Sequence, residues 1–190
     1  MTNIDRKKKL VIVNNGTVVP YDHLIISVGQ QYQIPAPTEA DISSGVTNAE
    51  LPNPPDRRCF KNSPKNLFLI NDAYDSAVAL YWIENYLIKS QRNVVIYGNS
   101  LDAFCCIQTL LTMGVAGDRI HLVQPPLTFQ VTCFNNPVIE STVLKALESS
   151  GVHVYTDHVL AQWNDGAEEV TEISSASFTT NKQPIQIECG

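Results

Sequence analysis

The sequence lacks the marks of three protein classes. No apolar run approaches the ~18 residues of a membrane-spanning helix, and the apolar stretch behind the basic N-terminus, residues 10–13, is too short for a signal peptide. The five cysteines are irregularly spaced and form no C-x-x-C pair, which disfavours a disulfide framework or a zinc site and indicates a reducing compartment. Only 13 residues are basic against 19 acidic ones, and the net charge of −6 disfavours nucleic acid or an anionic membrane as the main partner.

What the sequence does contain is typical of a globular chain. Hydrophobic residues account for 44% of its 190 residues and charged residues for 17%, which is a sufficient apolar content for a core. At this length the chain forms one domain, or one domain and part of a second. Strand and helix patterns alternate in the middle of the sequence, so we predict an α/β fold.

The N-terminal region predicts a β-hairpin followed by a strand. Two apolar segments, residues 10–13 and 17–19, flank an Asn-Asn-Gly sequence that ends at Gly16, and the Asn-Gly pair favours a type I′ turn. Residues 23–28 then form a continuous apolar run, which is the pattern of a buried strand, and the run stops at Gly29.

A proline-rich connection separates this region from a long helix. Six of the eleven prolines lie in residues 35–66. Residues 66–70 predict a strand, and Asn71 or Asp72 can cap a helix that runs to about Lys89. We predict that the apolar face of this helix comprises Ala73, Ala77, Leu80, Tyr81, Ile83 and Leu87. Candidates for an exposed contact face on the same helix are Tyr74, Tyr81, Trp82 and Tyr86.

The most informative stretch is one strand–helix–strand unit. Residues 93–97 predict a buried strand that ends at Gly98, and residues 101–113 predict the helix that follows. Residues 119–123 predict the next strand. The whole stretch has about the ~30-residue length expected of a βαβ unit.

The remaining chain predicts a helix, a strand and a meander. Asn136-Pro137 carries the residues favoured at a helix start, and Gly151 is the residue favoured just past a helix end. Residues 152–155 predict a further strand. From Val159 onward, alternating apolar residues and Asn-Asp-Gly turn residues predict an antiparallel meander.

Two segments together resemble the pyridine nucleotide–disulfide oxidoreductase family. Residues 15–29 are similar to a family motif in which a glycine, Tyr-Asp, an apolar strand and Ala-Thr-Gly follow one another, although the ending here is Ser27-Val28-Gly29. Residues 94–123 resemble the nicotinamide-nucleotide-binding βαβ unit of the same family. The order of the two segments agrees as well, and the likeness covers about residues 10–160.

The resemblance implies a division of the chain into three segments. Residues 1–35 correspond to a hairpin and strand at the end of a flavin-domain half, and residues 36–66 to the proline-rich connection. Residues 67–190 correspond to an NAD(P)-binding-like Rossmann domain with a C-terminal β-meander. The implied fold is a Rossmann-like parallel sheet with flanking helices, plus an antiparallel β-hairpin and meander.

The dinucleotide loop that the resemblance implies is degenerate. Such a loop has the pattern G-x-G-x-x-G, in which the second glycine lets the backbone approach the pyrophosphate. The corresponding positions here are Gly98, Ser100 and Ala103. Asp102 in the first helical turn would repel a phosphate, and Gln124 stands where an acidic residue would bind the ribose hydroxyls. We therefore expect these positions to be vestigial and the chain to use no cofactor, with weak NAD(P) binding as the alternative.

No FAD site, redox cysteine pair or metal site is expected. The FAD-binding fingerprint of the family precedes the first matching segment, and residues 1–20 contain no such motif. Cys105 and Cys106 are adjacent on a helix, where successive side chains point ~100° apart, so we interpret them as buried core cysteines rather than a dithiol. His153 and His158 have no cluster of further ligands around them in the sequence.

The leading functional hypothesis is a non-catalytic interaction module. Within the family, the sequence looks closest to the degenerate domain of an axonemal protein that belongs to the calmodulin- and spoke-associated complex of radial spokes. That resemblance implies other spoke-base subunits as partners, a second copy of the chain as a further candidate, and a cytoplasmic location in the axoneme of a cilium or flagellum. The alternatives are an NAD(P)/FAD-dependent oxidoreductase fragment and a nucleotide sensor that regulates assembly.

Overall fold

Two units make up the chain, and they comprise Met1–Gln31 and Tyr32–Gly190. The computed structural model describes residues 2–27, 29, 34–51, 63–127, 132–167 and 169–190. Within these residues, no helix combines the length and the apolar character needed to cross a lipid bilayer. The finer division at residues 35 and 66 stays a prediction.

The first unit contains a three-stranded antiparallel sheet. Its strands, in spatial order, are β1 (Asn3–Asp5), β2 (Leu10–Ile12) and β3 (Val18–Pro20). The predicted hairpin is therefore confirmed, but its connection is longer than a type I′ turn. A 3-10 turn, Asn14–Gly16, lies between β2 and β3, and the Val13 N–H donates to the Thr17 carbonyl at 2.9 Å.

The predicted buried strand of residues 23–28 is wrong for the part that the structure describes. Residues 23–27 pair with no strand, and the side chains of Ile25 and Ile26 are 89% and 60% exposed. An apolar run becomes a buried strand only where neighbouring strands take up its hydrogen bonds and other layers cover its faces. The described residues supply neither for this run, and Val28 lies outside them.

The second unit alternates helices and strands. In chain order these are α1 (Ala73–Trp82), α2 (Ile88–Ser90), β4 (Val94–Tyr97), α3 (Leu101–Thr112), β5 (Ile120–Val123), α4 (Pro137–Ser149), β6 (His153–Tyr155), β7 (Val159–Trp163), β8 (Ser175–Thr179) and β9 (Ile185–Glu188). Strands β4, β5 and β6 form a parallel sheet in that order, and β7, β8 and β9 form an antiparallel one. The predicted α/β fold, βαβ unit and C-terminal meander are thus confirmed.

Helix α4 begins and ends where the sequence predicts. The Asn136 side chain accepts from the N–H groups of Val138 and Ile139, at 2.9 and 3.2 Å, and Pro137 is the first helical residue. Gly151 follows the helix in a left-handed conformation, with φ of 84°. A capping amide and a left-handed glycine satisfy the main-chain groups that a helix leaves unpaired at its ends.

Successive side chains of the parallel strands point to opposite faces of the sheet, so they contribute to two separate cores. The core shared with the helices comprises Leu87, Ala103, Ile107, Leu110, Val115, Ile120, Leu122, Leu147 and Val152. The core shared with the meander comprises Val123, Leu160, Trp163, Ile173, Ala176, Phe178 and Ile187. Successive residues of β5, Leu122 and Val123, are both fully buried but belong to different cores. The carboxyl ends of β4 to β6 therefore meet at one edge between these layers.

The long helix before the sheet contains a π turn. Helices α1 and α2 are joined through Ile83–Leu87, where the Ile88 N–H donates to the Ile83 carbonyl five residues earlier. Asp72 caps the helix as predicted, since its carboxylate accepts from the Asp75 N–H at 2.9 Å.

The predicted apolar face of this helix is only partly right. Leu87 is buried, but the side chains of Leu80 and Tyr81 are 38% and 64% exposed. The prediction used a regular 3.6-residue period, which fails here because the π turn inserts one extra residue. Residues 66–70, predicted as a strand, pair with no strand and lead half-buried into the helix.

Part of the proline-rich connection packs on the meander. The N–H groups of Thr38 and Glu39 donate to the carbonyls of Leu160 and Ala161, at 3.1 and 2.9 Å, along the edge of β7. Asn48 donates to the Asp157 carbonyl at 2.7 Å and accepts from the Thr179 hydroxyl at 2.9 Å. The connection thus contributes structure to the second unit. Residues 52–62 lie outside the described part of the chain.

Candidate functional site

The degenerate loop lies at the carboxyl edge of the parallel sheet, between β4 and α3. The Gly98 N–H donates to the Val123 carbonyl at 3.0 Å, which extends the pairing of β4 and β5 beyond the strand. Ser100 is in an extended conformation, with φ of −82° and ψ of 164°, directly before the first helical residue Leu101. In Rossmann folds this is the turn that faces a dinucleotide's pyrophosphate.

Ser100 and Asp102 stand at the N-terminal end of α3. The Ser100 side chain makes no capping hydrogen bond, and its carbonyl accepts from the Ala103 N–H at 3.1 Å. Asp102 is exposed in the first turn. Burial raises the pKa of the Cys106 thiol, and the negative charge of Asp102, one turn earlier on the helix, raises it further. A negative charge therefore stands where the helix dipole would attract an anion.

Gly98 and Ala103 lie next to each other where α3 packs on the sheet. Ala103 is 7% exposed and belongs to the helical core. A Cβ placed on Gly98 would lie 3.9 Å from the Ala103 Cβ, which is an ordinary contact, and Gly98 has no left-handed φ. The fold therefore needs a small residue at 103 but does not need glycine at 98.

Gln124 follows β5 and connects it to the end of β6. Its N–H donates to the Tyr155 carbonyl at 2.8 Å, and its carbonyl accepts from the His158 N–H at 3.0 Å. These are main-chain bonds, so any non-proline residue could make them. The half-buried side chain of Gln124 lines a cavity beside the loop.

This cavity has a volume of about 170 Å³. Its described lining residues are Asn99, Phe104, Gln124, Pro125, Leu127, Thr132, Cys133, Phe134, Glu140, Leu144, Thr156 and Asp157. Phe104 of α3 and Phe134 pack together, with ring centroids 4.9 Å apart. This volume is below the roughly 300–1,000 Å³ of ordinary small-molecule sites.

The structure unites the predicted site residues only in part. Gly98, Ser100, Asp102 and Ala103 share one turn, whereas Gln124 alone among the five lines the cavity. Sequence reasoning missed several lining residues, among them Phe134, Cys133, Glu140 and Asp157. The sequence could have identified Asp157, since it comes just after β6 and so lies at the same sheet edge. It could not have identified the contact of Phe134 with Phe104, because that contact depends on tertiary packing.

The interpretation of the helical cysteines as core residues is wrong. Cys105 is exposed and Cys106 is half-buried, because α3 turns Ile107 and Leu110 toward the sheet and leaves Cys105 on its outer side. Within the described part of the chain, no group of three or more His, Cys, Asp or Glu residues is placed to hold a metal ion.

An aromatic group that the sequence analysis missed lies on the meander side of the parallel sheet. His121 of β5 stacks on His153 of β6, with ring centroids 4.8 Å apart, and the Tyr155 hydroxyl lies 3.4 Å from His121 Nδ1. Burial, and then the charge of His153, lower the pKa of His121. The two histidines are direct partners in the strand register, so aligning the predicted strands would have revealed the stack.

Comparison by sequence connects the chain to a ciliary protein. No family model matches it. It is similar to cilia- and flagella-associated protein 61 of Tetrahymena thermophila, with 22% identity over 85% of this chain and 12% of that protein. The predicted similarity to a protein of the cilium or flagellum is thus confirmed. The chain spans a small part of this relative, and a place at the radial spokes stays a prediction.

Comparison by structure connects the fold to oxidoreductases. A ferredoxin reductase from Rhodopseudomonas palustris matches the fold with a TM-score of 0.60 and 16% sequence identity. The match covers 100% of this chain and 38% of the reductase chain. A pyridine nucleotide-disulfide family oxidoreductase from Enterococcus faecalis matches with a TM-score of 0.55 and 15% sequence identity. This match covers 98% of this chain and 35% of the oxidoreductase chain. At these identities the likeness shows the fold alone. The predicted resemblance to the scaffold of pyridine nucleotide–disulfide oxidoreductases is confirmed at that level.

Proposed function

We propose that this chain is a non-catalytic interaction module of an axonemal protein, in which a degenerate Rossmann scaffold serves assembly. The observation that carries the proposal is the start of α3, where Ser100 stands in place of a glycine and Asp102 adds a negative charge. The similarity to a cilia- and flagella-associated protein supports a place in the axoneme. Other subunits of the radial spoke-associated complex are the proposed partners.

The start of α3 opposes a pyrophosphate in two ways. Ser100 places a side chain where a Rossmann loop has glycine, which keeps phosphate oxygens away from the main-chain N–H groups. Asp102 adds a like charge, and two such charges ~6 Å apart near a protein surface repel by about 3 kcal/mol at an effective dielectric constant of about 20. That energy corresponds to roughly a hundredfold loss of affinity. The residues of the loop therefore do not fit a dinucleotide.

The first test is calorimetric titration of the chain with NADH and NADPH. We expect no binding at ligand concentrations up to about 1 mM. The double variant Ser100→Gly, Asp102→Ala should gain measurable affinity, because it removes both obstacles. A matched control replaces the exposed carboxylate of Asp118, which precedes β5 at the opposite edge of the sheet, and Ser100→Gly, Asp118→Ala should gain less.

Micromolar binding by the unmodified chain, about −8 kcal/mol, would contradict the proposal and favour an oxidoreductase fragment. Binding that changes the oligomeric state in light scattering would favour a nucleotide sensor instead.

The second test concerns assembly in a ciliated cell. The full-length protein is expressed without residues 67–190, or with Ser100→Gly and Asp102→Ala together, and spoke-base subunits are quantified in isolated axonemes. We expect the deletion to reduce these subunits and the double variant to leave them unchanged. Normal spoke-base content in the deletion strain would show that this domain does not serve assembly.

A further inference from the structure

The cavity beside the degenerate loop has a charge opposite to that of a phosphate site. Its described lining residues include two carboxylates, Glu140 in the first turn of α4 and Asp157 just after β6, and none of them is basic. A third carboxylate, Asp102, stands at the start of α3. The carboxyl edge of the sheet, where active Rossmann folds bind a polyanion, is therefore electronegative in this chain.

The two carboxylates of the cavity have no cationic partner within the described part of the chain. The salt bridge there joins Arg92 and Glu172, and neither the Glu140 nor the Asp157 carboxylate takes part in it or accepts a hydrogen bond from a described residue. Burial raises the pKa of the Cys133 thiol in the cavity wall, and the charge of Glu140 raises it further. Glu140 is half-buried, so a cation that reaches it interacts more strongly than with a carboxylate in open solvent.

Two aromatic rings form much of the apolar part of the cavity. Phe104 and Phe134 are both half-buried, with ring centroids 4.9 Å apart and an interplanar angle of 57°. The face of an aromatic ring attracts cations. A guanidinium group can stack on such a ring while its N–H groups bind carboxylates. Phenyl rings and carboxylates in one cavity therefore favour a cation whose charge is spread over a planar group.

The size and the polar groups of the cavity also fit a guanidinium group. A cavity of about 150 Å³ holds benzene, so the volume of about 170 Å³ here accommodates a planar group with part of a carbon stem. Asn99 Nδ2 donates to the Pro125 carbonyl at 3.5 Å, which leaves the amide oxygen of Asn99 as an acceptor. The Gln124 amide lines the same space. Guanidinium has five N–H donors for these acceptors, whereas an ammonium group has three.

We propose that this cavity binds the side chain of an arginine from a partner protein. The carboxylates of Glu140 and Asp157 bind the guanidinium group, and the rings of Phe104 and Phe134 contact its plane and its carbon stem. This inference rests on the proposed function, since it gives the chemistry by which the interaction module recognises a partner. Arginine side chains that enter a pocket are frequent anchors of protein interfaces.

NMR titration of the isotope-labelled chain with N-acetyl-arginine amide tests the site. We expect saturable shifts of the Asn99 and Gln124 side-chain amides, with a dissociation constant of about 1 mM for so small a ligand. N-acetyl-alanine amide should cause no saturable shift, and N-acetyl-lysine amide should bind at least about threefold more weakly. No saturable shift up to about 20 mM arginine amide, or equal binding of the lysine compound, would overturn the assignment to arginine.

Charge-removing variants test which residues hold the cation. Glu140→Gln and Asp157→Asn should each weaken binding at least about threefold. Asp157 has a left-handed φ of 60°, which asparagine also adopts, so Asp157→Asn preserves the local conformation. The control Glu148→Gln removes the same charge at an exposed position near the other end of α4 and should bind like the unmodified chain. Equal weakening by all three variants would indicate a general charge effect and contradict a site at the cavity.

A peptide distinguishes an arginine of a partner protein from a free guanidinium compound. A capped five-residue peptide, with one arginine between glycine and serine residues, should bind at least as tightly as the arginine amide. We expect this because the side chain enters the cavity from its charged end and the main chain stays outside. Binding of the amide without binding of the peptide would show that the cavity takes a free small molecule, and the partner-protein assignment would fail.

These outcomes separate this inference from the proposed function. A chain that binds neither the arginine amide nor NADH loses the guanidinium site but keeps the proposed function. A chain that binds the arginine amide through Glu140 and Asp157, and also binds NADH with micromolar affinity, keeps the guanidinium site but loses the non-catalytic function.

Discussion

The body of the parallel sheet and its carboxyl edge differ in how strongly the fold determines their residues. In the body, Ile107 and Ile120 are fully buried between layers. At the edge, Leu101 is 56% exposed, Ser100 makes no capping bond, and Gly98 has room for a side chain. Positions 98 and 100, where a dinucleotide loop requires glycine, are therefore positions where the fold itself does not require glycine. Such positions can change without unfolding the chain, so a well-packed Rossmann core can carry a degenerate loop.

The largest expected effect compares two apolar residues of the same helix, α3. Ile107→Ala should lower the free energy of unfolding by about 2–5 kcal/mol, because it leaves a cavity in a fully buried site. Leu101→Ala, at the exposed edge, should change it by no more than about 0.5 kcal/mol. Urea denaturation followed by far-ultraviolet circular dichroism measures both. A loss above about 2 kcal/mol for Leu101→Ala would show that the edge is covered in solution, and the comparison would fail.

Two glycines give the second comparison. Gly117 lies against the turn after α4, where an added Cβ would overlap the Ser150 carbonyl, so Gly117→Ala should destabilise by about 1–3 kcal/mol. Gly98→Ala should instead stabilise by about 0.4–1 kcal/mol, because alanine fits there and restricts the unfolded chain. Thermal and urea unfolding of the two variants test the opposite signs. Destabilisation by Gly98→Ala would mean that the loop, too, is constrained by the fold.

How much of the fold could be predicted depended on whether an apolar run finds partners within the chain. Residues 94–97 and 23–28 have similar apolar patterns. The first became β4 because β5 and the two cores surround it. The described part of the second stays exposed because the described residues offer it no adjoining strand. The apolar pattern of a segment shows that it can form a buried strand, and tertiary contacts determine whether it forms one.

The candidate site was predictable where it follows from motif spacing. Gly98 to Ala103 lie in the expected strand-to-helix turn, and Gln124 lies at the end of the next strand. The packing of Phe134 against Phe104, and the π turn that exposes Tyr86, were not predictable. Both depend on how segments settle against the core, which local propensity does not encode.

The smallest expected effect concerns His121, which lies in the body of the sheet. Burial lowers the pKa of His121 in the folded chain, below the ~6.5 expected when it is unfolded. The unfolded chain therefore binds more protons than the folded one between those two values. The contribution of His121 to stability is present above about pH 6.5 and is lost as the pH falls through the folded value.

His121→Phe keeps a ring in the stack with His153 but cannot titrate. Urea midpoints between pH 5 and 7 should fall less steeply with acid in His121→Phe than in the unmodified chain, and NMR titration should locate the ring protonation of His121 below pH 6.5. An identical pH dependence in the two proteins would show that water reaches His121 as freely as it reaches the edge. The difference between a sheet body whose residues the fold constrains and an edge whose residues it does not would then not hold on the meander side of the sheet.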